Sequence, residues 1–209
     1  PPGAGKGTQS KFIVKKFKMF QLSTGEFLRN EISNNTTVGK KISSIINSGS
    51  LVSDDIVSNL IEKVISNSEY HNNIIFDGYP RNLNQAKNLD NLLNKKKIKL
   101  SCVLSLTVDK ETVVKRIVGR QICNNCGIIF NEYFNPANIT NHNCDPKFLI
   151  KRSDDNKEVV FERYDTYVKK TLPVLNFYEE KKILYKINGI RGIDQIYKEI
   201  CSIISSLET

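Results

Sequence analysis

Short apolar runs and segments of helical periodicity alternate along the chain. Runs of strand length lie at 20–22, 74–76, 102–108 and 183–187. Segments with apolar residues at helical spacing lie at 6–17, 24–28, 38–47, 54–66, 82–93, 110–118, 159–182 and 193–207. Strands that alternate with helices favour a parallel sheet covered on both faces, so the pattern predicts a three-layer α/β/α fold.

Two interruptions modify this pattern. Residues 120–155 hold three of the five cysteines and lack helical periodicity, which predicts a small module inserted into a single domain that spans 1–209. Pro173 lies inside the segment 159–182 and predicts a kink or a restart of that helix. Ser23 or Thr24 is the expected N-cap of the helix that follows the first run.

Charge and composition restrict the partners. The 31 Lys and Arg against 22 Asp and Glu give a net charge of +9, which predicts an anionic partner. The chain contains no uninterrupted apolar run near the ~18 residues of a membrane span. An odd, unevenly spaced set of cysteines favours a reducing compartment over a disulfide framework. We expect an intracellular and cytoplasmic protein, with a mitochondrial location as the alternative.

The segment PPGAGKGTQ at 1–9 has the pattern of a phosphate-binding turn. Glycines let backbone N–H groups approach phosphate oxygens, the following helix directs its positive end at the anion, and Lys6 adds a charge. Gly7 stands where such loops carry Ser or Thr, so direct magnesium ligation by Thr8 is not expected. The alternative is a glycine-rich turn with a chance lysine.

The segment DGYPR at 77–81 follows the second apolar run. Ligands of open α/β sheets lie beyond the carboxyl ends of strands, where Asp77 can hold magnesium through water and Arg81 can clamp a phosphate. An ordinary turn is the alternative, because Gly and Pro favour turns. His71, in an Asn-rich stretch, is expected to be exposed.

Several motifs in order resemble those of the adenylate kinase family, over essentially the whole chain. They are PPGAGKGTQ (1–9), QLSTGEFLR (21–29), GSLVSDDIV (49–57), DGYPRNLNQA (77–86), RIVGR (116–120), RSDDN (152–156) and ERYDTY (162–167). Tyr79 stands where the family more usually has Phe. The resemblance implies an acceptor module at 23–52 that binds the monophosphate and a lid module at 120–155.

The resemblance also implies the site residues. The donor phosphates would contact Gly3, Ala4, Gly5, Lys6, Gly7 and Thr8, and the donor base Arg116, Gly189, Ile190 and Arg191. The acceptor AMP would contact Thr24, Arg29, Leu51, Val52, Gly78, Tyr79, Arg81 and Gln85. The transferring phosphoryl group would lie among Lys6, Arg81, Arg120, Arg152 and Arg163. For each arginine, a solvated surface charge is the alternative.

The implied reaction is the Mg²⁺-dependent, reversible transfer of the terminal phosphoryl group of ATP to AMP, which gives two ADP. Such a transfer needs in-line positioning and charge compensation rather than a strong base, and arginine suits that role. A GTP:AMP phosphotransferase is the related alternative. A nucleic-acid-binding module is the alternative from another class, although the basic residues are scattered and lack an aromatic stacking platform.

The cysteine cluster predicts a structural zinc site. Cys123 and Cys126 have the spacing of a zinc half-site, and Cys144 with the adjacent Asp145 is the expected second half. His142 is the other candidate for the fourth ligand. A lid held by ordinary packing, with free thiols, is the alternative.

The family resemblance also places a buried central strand before the phosphate-binding turn. We expect a chain that starts at Pro1 to be poorly soluble and nearly inactive, and about eight upstream apolar residues to restore both properties. The chain is otherwise expected to be a monomer.

Overall fold

A computed structural model describes residues 1–67 and 73–207, so the prediction for His71 lies outside the described residues. The helices are α1 (Lys6–Phe17), α2 (Thr24–Ser33), α3 (Thr37–Asn47), α4 (Asp54–Ile65), α5 (Leu83–Lys95), α6 (Lys110–Val118), α7 (Lys157–Thr166), α8 (Leu172–Glu180) and α9 (Ile193–Leu207). The strands are β1 (Phe20–Ser23), β2 (Ile74–Asp77), β3 (Val103–Thr107), β4 (Arg120–Cys123), β5 (Ile129–Asn131), β6 (Leu149–Ile150) and β7 (Leu184–Asn188). Within these residues, no helix has both the length and the apolar character needed to cross a bilayer.

The parallel strands form two hydrogen-bonded pairs in the described part of the chain. Strand β1 pairs with β2, with Phe20 opposite Ile74, and β3 pairs with β7, with Val103 opposite Leu184. A cavity lies in front of the carboxyl ends of β1, β2 and β3, and the phosphate-binding turn lines it. The predicted parallel strands are therefore present, and their carboxyl ends open toward this cavity.

Helices cover both faces of the strands, as the α/β pattern predicts. On one face, Ile13 of α1 and Ile196 and Ile200 of α9 pack against Leu106 and Ile187. On the other face, α5 and α8 supply Ala86, Val174 and Tyr178, which pack against partly buried residues of β3 and β7. Burial of such side chains contributes about 1.5–3 kcal/mol each, so these two layers fix the strands that carry the site.

The lid module is more regular than its sequence pattern indicates. Strands β4, β5 and β6 form a small antiparallel sheet in which β4 is central, with Arg120 opposite Asn131. The pattern between 120 and 155 has no strand periodicity of its own because these strands are only two to four residues long.

The predicted helix 159–182 is interrupted, as Pro173 indicates. Helix α7 ends at Thr166, a π-helical turn follows at Tyr167–Thr171, and Pro173 lies in the first turn of α8. Proline is tolerated there because the first turn leaves its N–H groups without helical partners. This turn brings Thr171 Oγ1 to within 2.7 Å of the Arg81 carbonyl, to which it donates a hydrogen bond.

The acceptor module is a pair of closely packed helices. At Gly39, a Cβ atom would overlap the backbone carbonyl of Glu31, so only glycine allows α2 and α3 to approach this closely. The end of this module also contacts the exit of the lid module, where Ser153 Oγ donates to Asn47 Oδ1 at 3.2 Å.

Candidate active site

The phosphate-binding turn leads directly into α1. Gly5 is the N-cap of that helix with φ of 89°, a left-handed conformation that favours glycine. Lys6 follows, and its Nζ donates to the Pro1 carbonyl at 2.6 Å. Burial lowers the pKa of Lys6 to about 8, a shift that the nearby Asp77 carboxylate partly opposes and the nearby arginines increase. The turn thus places a desolvated cation beside the N-terminus of α1, which suits a phosphate.

Asp77 ends β2 and faces this turn. A Cβ at Gly7 would lie 3.5 Å from Asp77 Oδ2, and Gln21 Nε2 on the neighbouring strand donates to the same oxygen at 3.0 Å. The register of β1 and β2 explains this pair: Gln21 lies opposite Ile75, and Asp77, two residues further along β2, is on the same face as Ile75. Gln21 was not among the predicted site residues, because its position within a short apolar run gave no signal of this contact.

Five arginines converge on the space in front of Lys6 and Asp77. They come from α2, the loop after β2, β4, the loop after β6 and α7, and they are Arg29, Arg81, Arg120, Arg152 and Arg163. Burial lowers the pKa of Arg81 and of Arg152, and repulsion from other arginines lowers both further. An anion bound among these side chains would relieve that repulsion.

Two buried aspartates hold part of this cluster in place. Asp155 makes a bidentate ion pair with Arg120, in which Nε donates to Oδ2 at 2.7 Å. Asp154 accepts from Arg163 at 2.9 Å, while the Arg152 Nε is buried without a hydrogen-bond partner among the described residues. From the segment RSDDN at 152–156, only Arg152 was predicted to be a site residue. The two acids beside it were a further signal, because an arginine cluster needs ion-pair partners to hold it in place.

A second, smaller cavity adjoins the arginines on the side of the acceptor module. Thr24, Leu51, Val52 and Gln85 line it together with Arg81. Thr24 Oγ1 and Arg81 Nε both donate to the Gly78 carbonyl, at 3.2 and 2.7 Å. Arg29, Arg81 and Arg163 line both cavities, so any group transferred between them would pass these side chains.

The opposite end of the larger cavity is a slot next to β7. Arg116 donates to the Gly189 carbonyl at 2.7 Å, and its guanidinium lies 5.6 Å from the ring centroid of Phe134. Ile190 is exposed, and Arg191 pairs with Glu199 on α9. Planar cationic and aromatic groups around an open slot suit a flat heterocyclic base.

The candidate metal ligands of the lid module differ from the expected set in one residue. Ligand atoms of Cys123, Cys126, His142 and Cys144 all lie within 4.8 Å of one another. Asp145 lies outside this set because its carboxylate caps the turn at 146–148, accepting from the Lys147 backbone at 2.9 Å. The cluster is therefore Cys₃His rather than Cys₃Asp, and it could hold a metal ion.

The surroundings of Cys123 favour its thiolate form, which is the form that binds a metal ion. Burial raises its pKa, yet hydrogen bonds from the Cys126 backbone and the His142 side chain lower it to about 6. The Nε2 of His142 is buried without a hydrogen-bond partner among the described residues. A thiolate beside an unpartnered imidazole nitrogen has the donor chemistry that zinc prefers.

The structure brings the predicted nucleotide-binding residues together. The phosphate-binding turn, Asp77, Arg116, Arg120, Arg152, Ile190 and Arg191 line the larger cavity, and Thr24, Val52 and Gln85 line the smaller one. Arg29, Leu51, Gly78, Tyr79, Arg81 and Arg163 line both. Their individual roles remain predictions.

This fold and site define a P-loop phosphotransferase that acts on nucleotides. The family model for adenylate kinase matches residues 1–183. The chain is similar to an adenylate kinase of Pelagibacter ubique (47% identical, over 98% of this chain and 96% of the relative). It is also similar to adenylate kinases of Listeria monocytogenes (37%, over 98% and 96%) and Fervidobacterium nodosum (36%, over 100% and 96%).

The chain belongs to the adenylate kinase family. It is a nucleoside monophosphate kinase, an ATP:AMP phosphotransferase, as the motifs predicted. Neither the GTP:AMP alternative nor the nucleic-acid-binding alternative is favoured by these relatives. Since the relatives named here are bacterial, they do not support a mitochondrial location.

Proposed function

We propose that this chain, as a monomer, transfers the terminal phosphoryl group of magnesium-bound ATP to AMP through the arginine cluster between the two cavities. The donor nucleotide occupies the larger cavity, with its phosphates on the segment 3–8 and its base beside Arg116. The acceptor occupies the smaller cavity next to Gln85. The observation that carries the proposal is the buried Nε of Arg152, which has no hydrogen-bond partner among residues 1–67 and 73–207. A cationic donor left without a partner among other cations calls for an anionic ligand.

The residues act by positioning and by charge compensation. An oxygen of the acceptor phosphate is already anionic and attacks without a base, so the chain needs only to align it with the donor phosphoryl group. Lys6, Arg81, Arg120, Arg152 and Arg163 compensate the charge on the oxygens of the transferring group. The ion pairs of Arg120 and Arg163 with buried aspartates keep these guanidiniums in place before the substrates bind.

Magnesium enters as part of the donor substrate. The Asp77 carboxylate fits this ion because it faces the phosphate-binding turn and is oriented by Gln21. When bound, magnesium neutralises phosphate charge, while the chain supplies the carboxylate that holds the ion through water.

We expect Lys6→Ala to lower the turnover of AMP phosphorylation by ~10² or more, because it removes a charge from the transition state. Arg81→Ala should act similarly. The matched control is Lys15→Ala, an exposed lysine of the same helix α1, which should leave turnover unchanged. Turnover of the chain extended by the expected upstream strand, measured by coupled assay at saturating ATP and AMP, tests this. Near-normal turnover of both site variants would contradict the assignment.

We also propose that the lid module holds one structural zinc ion through Cys123, Cys126, His142 and Cys144. The four ligand atoms lie close together, the imidazole Nε2 has no partner among the described residues, and three thiols with one imidazole form a closed structural set. When bound, zinc would cross-link strand β4 to the turn before β6. The residues leave no open position for a catalytic role.

His142→Ala should weaken zinc binding by at least tenfold. Loss of a residue that only hydrogen-bonds to a metal ligand already costs about that much affinity, and His142 is proposed as a ligand itself. Asp145→Asn is the matched variant and should retain zinc, since Asp145 caps a turn instead. Zinc content after dialysis, and the melting temperature with and without chelator, measure the effect. Retention of zinc by His142→Ala, with its loss from Asp145→Asn, would reverse the ligand assignment.

A further inference from the structure

Asp54 links the start of α4, just after the acceptor module, to the start of α5. It begins α4, and its carboxylate accepts hydrogen bonds from three side-chain amides at the start of α5. Asn82 Nδ2 and Gln85 Nε2 donate to Oδ1 at 2.9 and 2.7 Å, and Asn84 Nδ2 donates to Oδ2 at 2.8 Å. An acid at a helix N-terminus usually interacts with the dipole of its own helix. Asp54 also holds three side chains at the start of α5.

Among these amides, Gln85 lies inside the binding site. It is 2% exposed and lines the smaller cavity beside Leu51 and Val52, apolar residues that suit a flat base. Its Oε1 accepts from the Arg81 backbone N–H at 2.8 Å, while its Nε2 donates to Asp54. Both ends of the carboxamide therefore have a partner of the correct polarity.

These two partners fix which end of the carboxamide is oxygen and which is nitrogen. If the group rotated by half a turn, the NH₂ would face the Arg81 N–H and the oxygen would face the Asp54 carboxylate. Both hydrogen bonds would be lost and two repulsive contacts would form, in a site where an unsatisfied polar group is costly. Burial raises the pKa of Asp54, but the bonds from Asn84, Asn82 and Gln85 lower it below its usual range, so the carboxylate remains an acceptor.

The fixed carboxamide retains one acceptor and one donor for a ligand. A carboxamide oxygen has a second lone pair and its nitrogen a second hydrogen. Side by side, they match the edge of adenine, which presents an exocyclic NH₂ donor next to a ring-nitrogen acceptor. Guanine presents the reverse, an oxygen acceptor next to a ring N–H donor, and would require the rotated carboxamide.

We infer that Asp54 is a positioning residue that holds the Gln85 carboxamide in the orientation that accepts adenine and rejects guanine in the acceptor monophosphate. This inference rests on the proposed placement of AMP in the smaller cavity. Asp54 does not touch the nucleotide; it acts through Gln85.

The test compares AMP with GMP as acceptors for the wild-type enzyme and for Asp54→Asn. The variant replaces an acceptor by an amide that can donate to a rotated Gln85, so the kcat/KM ratio of AMP over GMP should fall by about tenfold or more. KM for AMP should rise, while KM for ATP should not change. Asp55→Asn is the matched control, because it removes the same charge from the same helical turn at an exposed position.

The outcomes distinguish a positioning role of Asp54 from a purely structural role. Equal losses with AMP and GMP, or an unchanged ratio in a variant that melts like the wild type, would overturn the inference. If Asp54→Asn does not melt cooperatively, Asp54→Ser takes its place, and retention of the wild-type ratio there would overturn the inference. A wild-type enzyme that does not prefer AMP would instead contradict the proposed function itself.

Discussion

At the scale of single residues, the site holds its cations in an unfavourable state that an anionic ligand relieves. Lys6 and Arg81 are both partly buried, and each is within electrostatic range of Arg163. A shift of one pKa unit corresponds to about 1.4 kcal/mol, so the lowered pKa of Lys6 represents a real cost to the free enzyme. Nucleotide phosphates replace the lost hydration and compensate the charge.

The lowered pKa of Lys6 predicts that ATP binding depends on pH. Since the pKa of Lys6 lies at about 8 in the free enzyme, its charged form dominates below that pH and decreases above it. The kcat/KM for ATP should therefore fall above pH 8, while kcat should change less because bound phosphates favour the protonated lysine. A pH profile from neutral to about 9.5 measures this, and a constant kcat/KM across that range would contradict it.

At the scale of secondary-structure elements, α2 and α3 of the acceptor module are packed closely together at Gly39. A Cβ there would meet the backbone of Glu31 and Ile32, which cannot move aside as a flexible side chain can. Ile42 of α3 and Leu28 of α2 belong to the same buried cluster as the strand residue Leu22. Movement of the module is therefore expected to displace both helices together.

Gly39→Ala should lower the free energy of unfolding by about 1–3 kcal/mol, the usual range for overpacking. Gly192→Ala is the matched control, since a Cβ there would meet only the Gln195 side-chain oxygen at 3.8 Å. Denaturant unfolding of both variants measures the difference. Equal stabilities would show that α2 and α3 can separate without cost.

The hydrophobic periodicity of the sequence predicted most helices and strands, but not those that depend on pairing with distant segments. Helix α1 and helix α9 have the predicted bounds, because their periodicity begins and ends at clear signals. Strand β4 was not predicted, since its four residues gain their order from pairing with β5 and β6. The Cys₃His cluster was only partly predicted for a different reason: the Asp145 carboxylate caps the turn that follows it, and the spacing of the ligands does not show this local use.

Motif order indicated which residues line the two cavities better than any single residue type did. The glycines, Lys6 and the arginines lie in matched segments, whereas Gln21 and Asp54 act only through strand register and contacts between helices. In the sequence, an acid at the start of α4 indicates no more than a favourable interaction with the helix dipole. Its three amide partners are 28–31 residues away, beyond the reach of any local pattern.

At the scale of the whole molecule, the acceptor module and the lid module face the same cluster of arginines. Arg29 comes from the first module, Arg120 and Arg152 come from the second, and Arg81 lies between them. Transfer of a phosphoryl group requires that water be excluded from this space. Both modules are therefore expected to close when both nucleotides are bound.

An analogue that links the donor and acceptor nucleotides should protect both modules from hydrogen exchange. At a concentration ~100-fold above its Kd, ligand binding can suppress opening by up to ~100-fold. Mass spectrometry of peptides from 23–52 and 120–155, with peptides from α9 as the internal reference, measures the effect. Protection confined to the phosphate-binding turn would contradict closure of the two modules.

The hydrogen bond between Ser153 and Asn47 links the two modules directly. Because each module supplies one partner of this bond, we expect a nucleotide bound at one module to change the affinity of the other for its nucleotide. Such coupling is reciprocal by thermodynamic necessity. The factor by which AMP changes the dissociation constant of ATP must equal the factor by which ATP changes that of AMP, whichever nucleotide arrives first.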